Sequence, residues 1–194
     1  MSEKSGSSIH PVFAVIGAIV LSVGIVAAYV WATWTGPVHA GTVTSLYAYP
    51  IHRELSTGSG LGGVNGGPNV TDEVIVIANV QVKSTTKLPL FLNEMYGNLT
   101  LPNGEVEQSL AASGSDYRKV FVAYPDLAPQ QKTPLPHDIT MTPGQVIDGQ
   151  LIFHFPITEA QWNGRQAFDV DIRFIHQDDL VLHTGPGQKP ATGQ

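Results

Sequence analysis

The chain contains no cysteine. That excludes disulfides, thiolate-held zinc or copper, iron–sulfur clusters, thioether-linked haem, a thiol nucleophile and a lipidated N-terminal cysteine. Charge is also scarce: Asp, Glu, Lys and Arg make up 13% of the 194 residues, about half the usual share of roughly 25%. Ten basic residues stand against sixteen acidic ones, a net charge of −6, which is the wrong sign for a nucleic-acid-binding surface. Catalytic motifs are missing as well. Gly58-Ser59-Gly60 and Gly114-Ser115-Asp116 lack the Gly-x-Ser-x-Gly form of a nucleophile elbow. Gly62–Gly67 lacks the Lys-Ser/Thr ending of a phosphate loop. The expectation is a protein that is not an enzyme and carries no cofactor.

One long run does lack charge altogether. Val12–Trp34 is 23 residues, VFAVIGAIVLSVGIVAAYVWATW. As a helix it would measure roughly 34 Å, enough for a bilayer core of about 30 Å. Tyr29, Trp31 and Trp34 gather at its C-terminal end, where aromatic rings suit the headgroup level. Ala14 and Ala18 give a small-xxx-small spacing of the kind used in helix pairs. The apolar run exceeds the roughly 7–15-residue hydrophobic region of a cleaved signal peptide, and the basic region before it is thin, although Val38-His39-Ala40 before Gly41 has the small-x-small form of a cleavage site. Lys4 precedes the run, and the next basic residue after it is Arg53. The positive-inside rule then puts the N-terminus in the cytoplasm and the rest outside a plasma or inner membrane, as a single-pass signal anchor.

Twenty glycines and fourteen prolines favour turns and short strands over a helical bundle. The expected layout is a cytoplasmic tail at 1–11, the span at 12–34, a tether at 35–41, an extracytoplasmic β-sandwich at 42–184 and a disordered tail at 185–194. Within the sandwich, Thr42–Tyr49 reads as a strand stopped by Pro50, and 56–72 as a loop with six glycines. Glu73–Lys83 is the clearest strand. Val74, Val76, Ala78, Val80 and Val82 share one face, while the opposite face runs from Ile75 and Ile77 to Asn79, Gln81 and Lys83. Leu88–Leu92 and Tyr96–Leu101 follow as two strands. Pro102-Asn103-Gly104 forms a hairpin turn into Val106–Leu110.

Tyr117–Tyr124 alternates like a strand, and 125–136, with four prolines, reads as a stiff loop. Asp138–Met141 leads to a Pro143-Gly144 turn and the strand Val146–Phe155, in which Gly149 marks a bulge or a close approach. Thr158 and Gln161 have capping-box spacing for one helical turn. Ala167–Ile175 alternates, and Asp178-Asp179 turns the chain into Leu180–Thr184. Eight to ten short strands without a parallel crossover point to an all-β, antiparallel immunoglobulin-like sandwich behind one transmembrane helix, with an open barrel as the second choice.

Two stretches carry a resemblance. Pro143–Pro156, PGQVIDGQLIFHFP, is similar to the late-strand signature of bacterial secreted and membrane-anchored immunoglobulin-like domains of unknown function: a Pro-Gly turn, a Gly, then a Leu-x-Phe strand. Val74–Gly104 resembles their other half, a long core strand, a Pro-Leu pair and a strand ending at an Asn-Gly hairpin. The resemblance implies a sandwich displayed outside the cytoplasm, and no catalytic or binding residue.

His154, His176 and His183 are the metal candidates. A two-residue turn at Asp178-Asp179 would put His176 and His183 on one side of a hairpin, but no ligand spacing supports a site. The residues expected to meet a partner are Tyr117, Arg118, Phe121 and Tyr124 beside the Pro-rich loop, together with Leu61 in the Gly-rich one, since aromatics with arginine suit a protein-binding rim. The expected role is a membrane-anchored interaction module that docks an envelope protein. The alternatives are an accessory single-pass subunit of a larger membrane complex, and a ligand or metal sensor.

Overall fold

The computed structural model describes residues 11–33, 37–55 and 69–184; side chains at 11–14, 32, 33, 55 and 69 are outside the description. The chain forms two units, 1–36 and 37–194. The tail 1–10, the Gly-rich stretch 56–68 with Leu61, and the tail 185–194 lie outside the described residues.

In the first unit, α1 covers Pro11–Thr33, 23 residues, within one position of the expected run. Its described side chains, Val15 to Trp31, are all exposed. Among the described residues no helix is long and apolar enough to cross a membrane.

The second unit is a β-sandwich of two antiparallel sheets. β1 (His39–Leu55), β2 (Asn69–Ser84) and β6 (Val146–Phe155) form one, in the order β1-β2-β6. The other has the order β4-β3-β7-β8, from β3 (Leu90–Thr100), β4 (Val106–Leu110), β7 (Ala167–Phe174) and β8 (Leu180–Thr184), with β5 (Thr140–Met141) paired to the start of β3. Two flanking contacts tie the sheets together. Ser109 Oγ of β4 accepts from the His154 amide of β6 at 3.0 Å. At the opposite flank, Gly41 of β1 lies against the side chains of Leu180 and Leu182.

The alternation in β2 sets the core. Val74, Val76, Ala78, Val80 and Val82 are buried against Leu92, Met95, Leu99, Phe168, Val170 and Ile172 of the facing sheet. Phe153 and Phe168 meet edge to face at 5.9 Å. Gly97 leaves room for them, because a Cβ there would lie 2.9 Å from the Phe153 ring. The turn at 102–104 occurs as expected, with Gly104 at φ 85°. Thr158 and Gln161 form the capping box of α3 (Glu159–Asn163).

Several sequence expectations are corrected. β1 does not stop at Pro50; it pairs with β2 through Pro50↔Val74 to Leu55. β1 lies at the end of its sheet, and a proline fits there when its nitrogen, which carries no hydrogen, faces the open edge. His39–Gly41, expected in the tether, belong to β1. The two strands expected over 88–101 are one, β3. A register shift between Leu92 and Glu94 moves the inward phase from Leu90 and Leu92 to Met95, Gly97 and Leu99, which breaks the two-residue pattern.

Tyr117–Tyr124 is not a strand. α2 spans Gly114–Ala123 and buries Tyr117 and Phe121, four positions apart on one helical face. Pro125–Gln130, within the expected loop, is a 3₁₀ helix. β7 and β8 are joined by residues 175–179 rather than by a two-residue turn. Their register is Asp169↔His183 and Ile172↔Leu180, so His176 does not face β8. His176 instead sits in the connection at φ 61°.

Candidate interaction surface

The outer face of β2 changes from apolar to polar along its length, and the structure uses the two halves differently. The apolar half is covered. Ile75 and Ile77, with Ile51 of β1 and Ile152 of β6, form a second core under Tyr117 and Phe121 of α2 and Leu127 of the 3₁₀ helix. Tyr117 and Phe121, expected at a partner-facing rim, are 2% and 8% exposed. They fasten α2 to the sheet and stand 5.1 Å apart, ring to ring. Arg118 and Val122 occupy the outward side of α2, Val122 at 80% exposure.

Tyr124 closes the helix and lies at the boundary of this cap. Its hydroxyl accepts from the Arg53 guanidinium of β1, which also lies 5.5 Å from the Tyr124 ring centre. Tyr49, two positions before Ile51, meets the Tyr124 ring at 6.0 Å and donates to Asp126 Oδ2 at 3.4 Å. Partial burial, helped by the Asp126 carboxylate, holds the Tyr49 phenol above its ordinary pKa. Arg53, Tyr49, Tyr124 and Asp126 are linked by these contacts into an aromatic and charged rim, and Arg118 and Val122 lie on the exposed side of the adjoining α2. Sequence reasoning missed Arg53 and Asp126 in this group. Arg53 lies 71 positions from Tyr124, and only the long β1 hairpin brings it there.

The polar half of the face stays open. Asn79 forms the floor of a cleft of about 350 Å³, whose walls are Thr44, Lys132, Thr133, Asp148 and Gly149. Gln150, 1% exposed, holds this region together. Its Nε2 donates to Asn79 Oδ1 at 3.1 Å and to the Gln130 carbonyl at 2.8 Å. Its Oε1 accepts from the Lys132 amide at 3.2 Å. The Tyr117 hydroxyl donates to the Lys132 carbonyl at 2.6 Å and lies against Gln150 Oε1. Burial raises the Tyr117 phenol above its usual pKa. Such a fully engaged buried amide fixes geometry well, since breaking it leaves polar atoms without partners.

The histidines do not converge. His154 is on the outer face of the three-stranded sheet, where Glu73 is 3.1 Å away. His183 is on the outer face of the other sheet, with Asp169 at 3.0 Å. Among the described residues, no group of three or more His, Cys, Asp or Glu side chains is arranged to hold a metal ion. His52 has two carboxylate neighbours, Asp72 at 2.6 Å and Glu54 at 3.3 Å. Its pKa is raised, chiefly by the hydrogen bond to Asp72 and then by that to Glu54.

No family model and no curated protein match the chain. One solved structure, a Northeast Structural Genomics Consortium target, aligns with 77% of this chain and 94% of its own at 7% sequence identity, with a TM-score of 0.32. That similarity is too low to inform on fold or function.

Proposed function

We propose that the chain is a non-enzymatic interaction module anchored by one membrane-spanning helix, with an immunoglobulin-like β-sandwich outside the cytoplasm that docks an envelope protein. The observation that carries the reading is the exposure of α1. Its large apolar side chains from Val15 to Val30 are each at least 50% exposed, in a run without one charge. Each Å² of apolar surface left in water forgoes about 25 cal/mol of burial energy, whereas lipid accepts such a face. Ser22 fits the same picture, since its hydroxyl donates to the Ala18 carbonyl at 2.8 Å and so is satisfied within the helix.

The immunoglobulin-like part of the reading draws on the resemblance of Val74–Gly104 and Pro143–Pro156, which fall on β2, β3 with its turn, and β6. The docking part draws on the rim around Arg53, Tyr124, Arg118 and Val122. Rims that combine arginine, tyrosine and an exposed aliphatic group on a rigid sheet suit protein recognition.

A reporter active only outside the cytoplasm, fused after Thr184, tests the topology; activity of a cytoplasm-only reporter at that position overturns it. Photocrosslinkers at Arg118 and Tyr124 in whole cells test the docking face. Capture of one partner from both positions is expected. Capture from Ala18 of α1 alone would instead make the chain an accessory subunit held through its helix.

A further inference from the structure

We propose that the polar cleft between Lys132 and Asp148 binds a small zwitterion of the free α-amino-acid class. The cleft lies on the open half of the outer face, apart from the docking rim, and does not depend on the membrane reading. Its lining offers one cation, Lys132, and one anion, Asp148. Both side chains are exposed, and neither is ion-paired among the described residues. Opposite charges that share a cleft without meeting each other leave a gap that a ligand with both charges fills.

Other ligand classes fit less well. Asp148 opposes a lone phosphate or carboxylate, and Lys132 opposes a lone metal ion or amine. No aromatic ring lines the cleft, so the stacking surface common in sugar sites is missing. The volume, about 350 Å³, falls at the small end of ligand pockets and favours a molecule of a few carbons over a nucleotide. The hydroxyls complete the chemistry. Thr44 Oγ1 donates to the Asn79 carbonyl at 3.0 Å and keeps its lone pairs for an ammonium group. Thr133 Oγ1 has no hydrogen bond among the described residues and is able to donate to a carboxylate.

The walls are set before any ligand arrives. Asp148 Oδ1 is held by Gln81 Nε2 at 2.8 Å. The Lys132 backbone is fixed on both sides by Gln150 and Tyr117. Thr133 is tied to β6, because its carbonyl accepts from the Gln150 amide at 2.9 Å. Preorganisation of this kind lowers the ordering cost of binding.

The test is calorimetric titration of the full chain in detergent micelles. The probes are glycine, serine, glutamate and lysine, with acetate and methylamine as single-charge controls. At least one amino acid is expected to bind saturably at or below about 10 mM. K132A and D148N are each expected to weaken it about tenfold or more, the scale of one charge-assisted hydrogen bond. Both positions are exposed, so the melting curves of the variants are expected to match the parent and separate lost binding from lost fold. Acetate and methylamine are expected to bind at least tenfold more weakly than the amino acid. The proposal is overturned if none of the four amino acids binds saturably, if binding survives both substitutions, or if a single-charge control binds as tightly.

Discussion

Gly149 and Leu135 are packed backbone to backbone: a Cβ on Gly149 would lie 2.5 Å from the Leu135 Cα and 2.7 Å from its nitrogen. The contact lets residues 133–135 run beside β6, with Pro134 in a parallel bridge to Gln150 and the Leu135 amide donating to the Gln150 carbonyl at 3.0 Å. Gly149→Ala should therefore push this segment off the sheet. The expected loss is about 1–3 kcal/mol, the usual scale for overpacking a tight site, read as a lower urea midpoint with an unchanged slope.

Phe153 is fully buried between the sheets, with Phe168 against its ring. Phe153→Ala should cost about 3–5 kcal/mol. Val76, also fully buried, cannot become Asp without placing a charge where no partner waits. Both variants of a soluble 37–184 fragment are expected to lose cooperative thermal unfolding, and parent-like melting of either would contradict the inward face assigned to its strand.

Tyr117 joins two functions, packing by its ring and fixing the Lys132 backbone by its hydroxyl. Tyr117→Phe keeps the ring and should cost about 1–2 kcal/mol for the broken network. Tyr117→Ala should cost more, about 3–5 kcal/mol. Comparing the two by chemical denaturation separates the hydroxyl from the ring; equal losses would mean that packing alone matters.

Stability should decline as pH rises above the ordinary histidine range. His52 is held above its reference value of 6.5 by Asp72 and Glu54. A raised pKa means that the folded state binds the proton more tightly than the unfolded one. The contribution is full below 6.5 and is lost as pH climbs through the higher folded value. Asp171, raised mainly by burial and next by Asp179, has the same sign at lower pH: its contribution is lost as pH rises through and above the carboxylate range. Melting temperature against pH is the measurement. His52→Gln is expected to remove the upper part of the slope and leave the lower part.

Much of the sandwich is legible in β2, because one face along Val74–Val82 is apolar throughout while the other changes from Ile75 and Ile77 to Asn79 and Gln81. The apolar half foretells a cover, but not its kind. Tyr117, Val120, Phe121 and Tyr124 satisfy the helical spacing, yet the β-branched and aromatic run Val120-Phe121-Val122 also suits a strand, and so short a run does not separate the two. β3 escapes a period-two reading because its phase slips near Asn93. The β7–β8 register is not legible locally, because Asp178-Asp179 has the composition of a turn, while the actual register depends on Phe168, Val170 and Ile172 facing the core. Neither the rim nor the cleft is visible locally, since the rim joins β1 to a cap 71 positions from Arg53, and the cleft joins Thr44 of β1 to Asp148 of β6 and to Lys132 and Thr133.

Among the described residues, the outer edge of β1 is a row of backbone groups with no strand paired beyond it. Such a row invites a neighbouring chain to add itself by main-chain pairing, the first step of ordered aggregation. Where its nitrogen faces that edge, Pro50 withholds one donor from the row. A growing ladder would have to skip a rung there, so propagation along the edge stalls after a few residues on either side. The same residue that looks like a strand terminator in the sequence thus acts as a gatekeeper, letting a strand of 17 residues remain long enough to carry Tyr49 and Arg53 without offering other copies a continuous template.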